Sequence, residues 1–323
     1  MKPNNTIREI GDALQSADSI WIIPHELMDG DAFGSAIALC KSLRKQGKTA
    51  WILLEDKIPD YLEFMDKGYC TYDSDLIPEP DVSLCIDCGD KTRFKKRVAA
   101  FEKGRITVCL DHHTTSRRVF DLNYVDGKAA ATGEIVFDLL SEMKWPLDKE
   151  IAEALFVAIT TDTGNFQYSN TTQRSHEIVI QLYDKGMNFS KVSAEIYQNE
   201  SINKFKMESK VIDSAELFAD GLVVVATVTQ KMLKECNSTM EEAEGIVSKL
   251  RSIRGVEISV LIKEYPDGCM KVGLRAKHTG DVAVIASKFG GGGHIKAAGC
   301  TICDSIENVK RMIVEEVTEQ LKA

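Results

Sequence analysis

Three short, mainly apolar runs in the first half of the chain each end on aspartate or histidine, and this repetition restricts the fold more than any other feature. Residues 19–24 lead into His25, Asp29 and Asp31; residues 82–86 lead into Asp87 and Asp90; residues 106–110 lead into Asp111-His112-His113. Mainly apolar runs of this length predict strands buried on both faces. Residues 49–54 read as a further strand. Helical periodicity lies between the strands: residues 31–45 carry Ala32, Ala36, Leu39 and Leu43 on one face, and residues 92–102 are expected to be helical as well. Strands alternating with helices predict an α/β domain with a mainly parallel sheet flanked by helices. In such sheets ligands bind beyond the carboxyl ends of the strands, where these polar clusters sit.

From residue 131 to about 210 the pattern is mainly helical, and Asp162 follows the apolar stretch 154–159. The remaining third predicts a smaller α/β domain: a β-branched strand over 221–229, a helix over 240–251, and a hairpin of 256–263 and 270–276 turned by Tyr265-Pro266-Asp267-Gly268. A helix over 281–288 leads into Gly290-Gly291-Gly292-Gly293, and a last helix spans 305–321. With 323 residues, two domains are expected. The boundaries are set at 1–190, a helical linker over 191–212, and 213–323, with the segment 190–210 allowing closure of one domain on the other.

The net charge is -9. A protein gripping a long duplex by its phosphates needs a basic surface, so long duplex nucleic acid is not an expected partner. An acidic chain still binds small phosphorylated molecules where metal ions supply the positive charge. No apolar run reaches the ~18 residues of a membrane span, and no signal peptide opens the chain, so a cytoplasmic location without membrane contact is expected. Of nine cysteines, Cys85/Cys88 and Cys300/Cys303 form two C-x-x-C pairs. Zinc or redox chemistry is one reading of such pairs, and packing is the other. Their strand-like surroundings favour reduced cysteines acting as small hydrophobes.

His25, Asp29 and Asp31 combine ligand types suited to divalent ions, although an aspartate before a helix also suits an N-cap. Further carboxylates and histidines at Asp87, Asp111-His112-His113 and Asp162 tip the balance. Carboxylates converging in one cleft repel one another unless cations join them. The residues therefore predict a multi-carboxylate, two-histidine metal site.

Asp111-His112-His113 resembles the signature of the DHH phosphoesterases. The clusters His25-x-x-x-Asp29-Gly30-Asp31-x-x-Gly34-Ser35, Asp87 and Asp162-Thr163-Gly164 resemble that family's other motifs, in order. Gly290-Gly291-Gly292-Gly293-His294-x-x-Ala297-Ala298-Gly299 is similar to the glycine-rich motif of the companion DHHA1 domain. Two positions depart from the usual pattern: Met28 stands where the family has proline, and Asp87-Cys88-Gly89-Asp90 replaces Asp-Thr-(Ala/Ser)-Asp. Neither removes a ligand.

The resemblance implies two divalent ions, with Mn2+ favoured by the oxygen and imidazole donors. One would be held by His25, Asp29 and Asp87, the other by Asp31, Asp87, His112 and Asp162, with Asp87 bridging. His113 would act with Asp87 in catalysis beside the scissile phosphate, or orient a ligand from behind it. Arg275, Gly291, Gly292, Gly293 and His294 would bind substrate, the glycines as an anion nest, and Lys296 would add positive charge. The implied reaction is two-metal hydrolysis of phosphodiester or phosphomonoester bonds in short nucleotides: RNA oligonucleotides to nucleoside 5′-monophosphates, and 3′-phosphoadenosine-5′-phosphate (pAp) to AMP and phosphate. Cyclic or linear dinucleotides (c-di-AMP, pApA) are the alternative substrates, and a non-catalytic nucleotide sensor is the alternative outside enzymes. A homodimer is a family expectation.

Overall fold

The computed structural model describes residues 2–243 and 245–322. They form two compact units, Met1–Asn199 and Glu200–Ala323. The division falls between helices ending at Tyr197 and starting at Ile202.

The first unit runs α1 (Ile7–Ser16), β1 (Ser19–Pro24), α2 (Gly30–Lys45), β2 (Thr49–Leu53), β3 (Cys70–Thr71), β4 (Val82–Ile86), α3 (Val98–Phe101), β5 (Ile106–Asp111), β6 (Leu122–Val125), α4 (Thr132–Glu142), α5 (Lys149–Asp162), α6 (Gln173–Asp184) and α7 (Phe189–Tyr197). Its six strands are all parallel, in the order β3-β2-β1-β4-β5-β6. Chain order reverses between β1 and β4, so the sheet has its switch point there, and the carboxyl ends beside it are where such sheets bind ligands. Alternation along β1 sends Ile20 and Ile22 into a core shared with α1, α2, α4 and α5. Trp21 and Ile23 enter a second core with Phe94, Phe101 and Phe120. Both faces are thus covered, as parallel strands require.

Residues 92–102 do not form one helix. They fold as two 3-10 turns, Lys91–Arg93 and Lys95–Arg97, followed by the four-residue α3. Phe94 breaks the run with φ -142 and is fully buried in the second core. Cationic pairs four apart, Lys91/Lys95 and Arg93/Arg97, further disfavour a continuous helix.

The second unit runs α8 (Ile202–Asp213), β7 (Glu216–Phe218), β8 (Val223–Val228), α9 (Gln230–Cys236), α10 (Ile246–Arg251), β9 (Ile258–Glu264), β10 (Met270–Ala276), α11 (Val282–Lys288), β11 (Gly292–His294), β12 (Ala297–Ile302) and α12 (Ile306–Lys322). Its mixed sheet has the order β11-β12-β10-β9-β8-β7. In β10, Met270, Val272, Leu274 and Ala276 are buried, while Lys271, Gly273 and Arg275 are not. The buried set packs in one core with residues of α11 and α12. On the other face, Val224, Ala226 and Leu261 pack with residues of α8, α9 and α10. The helix expected over 240–251 is interrupted: a 3-10 turn, Glu241–Ala243, precedes α10, and Gly245 between them has φ 84.

The cysteine expectation fails at one position. Cys85, Cys88 and Cys300 are free and buried, but Cys303 is joined to Cys269 by a disulfide. The pair extends the β10–β12 register one step beyond Met270↔Ile302, which brings the two Cα atoms to 4.0 Å. No helix among the described residues is long and apolar enough to cross a membrane.

Candidate metal centre

The carboxyl ends of β1, β4 and β5 carry His25, Asp87 and Asp111, and the N-terminus of α2 and the C-terminus of α5 bring Asp31 and Asp162 to the same place. Three residue sets offer ligand atoms within 4.8 Å of one another: His25, Asp29 and Asp87; Asp31, His112 and Asp162; and Asp87, His112 and His113. Asp87 belongs to two of them. Its Oδ2 lies 3.6 Å from His25 Nε2, and its Oδ1 lies 3.7 Å from His112 Nε2. One carboxylate thus turns an oxygen to each imidazole. The backbone at Asp87 is left-handed, φ 58, a conformation aspartate tolerates better than most residues.

Asp29 is an N-cap that also faces His25. It caps α2, accepting from the N–H groups of Asp31 and Ala32 at 3.1 Å each, and its Oδ1 also stands 3.9 Å from His25 Nε2. Asp31 is buried and accepts hydrogen bonds from Ser35, Thr132 and Gly133. Ser35 Oγ donates to Oδ1 at 3.1 Å, and the first N–H groups of α4, from Thr132 and Gly133, donate to Oδ2 and Oδ1 at 2.7 and 2.9 Å. His112 Nδ1 lies 3.2 Å from the Ala129 carbonyl oxygen, which can only accept, and this leaves Nε2 facing Asp31, Asp87 and Asp162 at 3.8, 3.7 and 3.6 Å.

His113 is held differently. Its Nδ1 pairs with Asp111 Oδ1 at 2.7 Å. Asp111, fully buried, also accepts from Ser116 Oγ. Asp111 lies in none of the three sets and positions His113 from behind.

The charges show why a cation fits. Burial, followed by the negative charges of Asp87, Asp162 and Asp29, drives the Asp31 carboxyl well above its ordinary range. Burial raises Asp162 to about 6, with Asp87 and Asp29 adding to it and His112 opposing. For Asp87 burial also acts upward, but the hydrogen bond to His25 and the charges of His112 and His113 outweigh it and leave the carboxyl below its usual value. The hydrogen bond to Asp111 raises the His113 imidazole to about 9. Divalent ions would relieve the repulsion between these carboxylates, and the donor set is all oxygen and imidazole, which suits manganese or magnesium better than thiolate-bound zinc.

Two contributors were not apparent from the sequence. Thr132 Oγ1 donates to Asp87 Oδ1 at 2.7 Å. The Asn170 amide donates to Ala130 O, Asp162 O and Asp162 Oδ2 at 3.0, 3.1 and 3.4 Å. Both are brought in by tertiary packing, and neither belongs to a local motif that would announce it.

In the second unit, the register sets His294 opposite Ala297 and Ala297 opposite Arg275, so all three lie in one transverse row on one sheet face. The glycine run forms a turn and the edge strand β11. A Cβ on Gly291 or Gly293 would strike the β12 backbone, with Ala297 O 2.5 Å from that of Gly293. Close packing therefore accounts for glycine at 291 and 293. A Cβ on Gly292 would meet nothing within 4 Å, leaving that backbone open to an approaching group. Lys296 spends its hydrogen-bond donors on the chain before it. Its ammonium donates to the carbonyls of His278, Thr279 and Gly280 at 2.8, 3.2 and 3.3 Å.

Residues 19–159 match the DHH family, N-terminal domain, and residues 220–323 match the DHHA1 domain. The chain is 28% identical over 318 residues to the bifunctional oligoribonuclease and PAP phosphatase NrnA of Thermus thermophilus, covering 98% of this chain and 94% of the relative. It is 26% identical to NrnA of Bacillus subtilis over 88% of this chain and 90% of that one. Among solved structures, an exopolyphosphatase-related protein from Bacteroides fragilis superimposes with a TM-score of 0.91 at 25% identity, covering 98% of this chain and 97% of that one.

Proposed function

The chain belongs to the DHH phosphoesterase family, with a C-terminal DHHA1 domain, and from that premise we propose that it hydrolyses phosphoester bonds in short nucleotides, converting RNA oligonucleotides to nucleoside 5′-monophosphates and pAp to AMP and phosphate. The observation that carries this proposal is Asp87, shared between a His25–Asp29 set and a His112–His113 set. That arrangement suits a pair of divalent ions bridged by one carboxylate. Near-full-length similarity to two oligoribonuclease and PAP phosphatases supports the substrate class.

In this assignment His25, Asp29 and Asp87 would hold one ion, and Asp31, Asp87, His112 and Asp162 the other. When bound, such a pair, manganese by preference, lowers the pKa of water and neutralises phosphoryl charge. The residues do the rest. Asp111 holds His113 by Nδ1, so the ring is placed to steady the leaving oxygen. In the second unit Arg275, His294 and the open backbone around Gly292 bind the substrate's phosphate or base-side groups, where arginine offers a bidentate donor pair. The net charge of -9 supports short substrates over long duplexes, and the cytosol is the assigned compartment.

The test is a side-by-side product assay with Mn2+ on pApA, a 5′-phosphorylated RNA trimer, pAp, c-di-AMP and pyrophosphate. Release of mononucleotides from the linear substrates and of AMP from pAp is expected. Preference for c-di-AMP would redirect the assignment to cyclic dinucleotides, and inertness toward all five would overturn it. Asp87→Ala should abolish turnover, and near-normal rates in that variant would remove the bridging role.

A further inference from the structure

We propose that Thr132 is a positioning residue that sets the plane of the bridging Asp87 carboxylate, so that one oxygen serves each metal. This rests on the proposal above that the cluster takes two cations. Thr132 is fully buried at the first position of α4. A buried hydroxyl needs a partner, and the partner it finds is Asp87 Oδ1 at 2.7 Å. The backbone N–H of the same residue donates to Asp31 Oδ2 at 2.7 Å. One residue therefore grips two buried, like-charged carboxylates through two different atoms.

The geometry gives the hydroxyl a specific task. Rotation of an aspartate carboxylate about its last bond is soft, with a broad preference. Left to itself, Asp87 has no covalent reason to divide its oxygens between two ions. The Thr132 hydrogen bond removes that freedom. It fixes Oδ1 on the side of His112, 3.7 Å from Nε2, which leaves Oδ2 on the side of His25, 3.6 Å from its Nε2. An anionic carboxylate oxygen accepts more than one interaction, so donation from Thr132 leaves Oδ1 able to bind a cation. Because α4 also supplies the Gly133 N–H to Asp31 Oδ1 at 2.9 Å, the start of this helix acts as a fixed jig against which two ligands are set.

Thr132→Val keeps the shape and removes the hydroxyl, while Thr132→Ser keeps the hydroxyl. The full-length, metal-free protein is titrated with Mn2+ by calorimetry, and metal-free melting is recorded alongside. The wild type should take two ions. Loss of a partner hydrogen-bonded to a ligand costs about 10–100-fold in metal affinity, so Thr132→Val should weaken at least one site by about tenfold or more, with Thr132→Ser within about threefold of wild type. In turnover, kcat should fall in Thr132→Val with KM for pApA little changed, and recover in Thr132→Ser. If Thr132→Val does not fold, Thr132→Ala is read by the same criteria. Wild-type affinity at both sites in the hydroxyl-free variant, or equal losses in the valine and serine variants, would overturn the positioning role and leave the two-metal proposal standing. Failure of the wild type to take up Mn2+ would overturn both.

Discussion

Asp162 ends α5 with its carboxyl raised to about 6, by burial first and by the charges of Asp87 and Asp29, against the pull of His112. The sign of the resulting pH dependence follows from linkage. A carboxyl whose folded pKa lies above its ordinary 3.8 makes the folded chain bind more protons than the unfolded chain between about pH 4 and 6, so its contribution to metal-free stability falls as pH rises through that window. Divalent ions compete with the same proton, so their affinity should rise across it. In the metal-free state, the melting temperature of wild type relative to Asp162→Asn should therefore drop between about pH 4.5 and 7. Added Mn2+ should raise the wild-type melting temperature more at the upper end of that range than at the lower. A constant difference between the two proteins across it would contradict the assignment. Residues of this kind were legible in the sequence because each ligand cluster closes an apolar strand or helix and belongs to a spaced motif. Thr132 and Asn170 were not. Each reaches the centre from a segment remote in sequence, and a threonine at a helix start or an asparagine in a loop has many commoner roles.

The elements that carry the ligands were legible in the same way, and those that support them were less so. β1, β4 and β5 stand where mainly apolar runs placed them. α1 was not expected, although its start bears a full capping box, Thr6 with Glu9. That signal is four residues long and precedes a helix with only one narrow buried stripe, at Ile10, Gly11 and Leu14. The 92–102 segment shows the opposite error, where helix-forming composition gave way to burial of Phe94. Contact between α2 and α5 matters most for the site, because these helices present Asp31 and Asp162. Gly34 lies in their interface: a Cβ there would stand 2.5 Å from Ala154 O and 2.9 Å from Ala158 N, both backbone atoms. Alanine is favoured over glycine within a helix by about 1 kcal/mol, but backbone cannot yield as a side chain does. Gly34→Ala should therefore be destabilised, by an overpacking cost of about 1–3 kcal/mol, in urea unfolding of the metal-free protein. A variant as stable as wild type, or more so, would show that the helices separate freely and that the glycine is not required for their approach.

At the scale of the whole chain, the two units keep separate hydrophobic cores. The clusters of the first are built from residues 10–192 and those of the second from residues 207–317. The residues that could hold metal ions all belong to the first unit, while Arg275 and His294 lie on one sheet face of the second. Among the described residues no hydrophobic cluster is shared by the two units, so a change on that face has no common core through which to disturb the proposed ligands. The division of labour between chemistry and substrate capture can therefore be tested at Arg275. This residue is half-buried on β10, with its guanidinium donating to Leu274 O at 2.9 Å. Arg275→Ala should bind Mn2+ with wild-type stoichiometry and affinity. Its KM for pApA and pAp should rise by about tenfold or more, the scale of a lost charge-assisted hydrogen bond of roughly 1.5–3 kcal/mol. If kcat collapses with KM unchanged, Arg275 acts on the reacting phosphate rather than on substrate capture. If Mn2+ uptake falls as well, the cores are coupled through a route that their separation does not provide, and the assignment of binding to one unit and hydrolysis to the other fails.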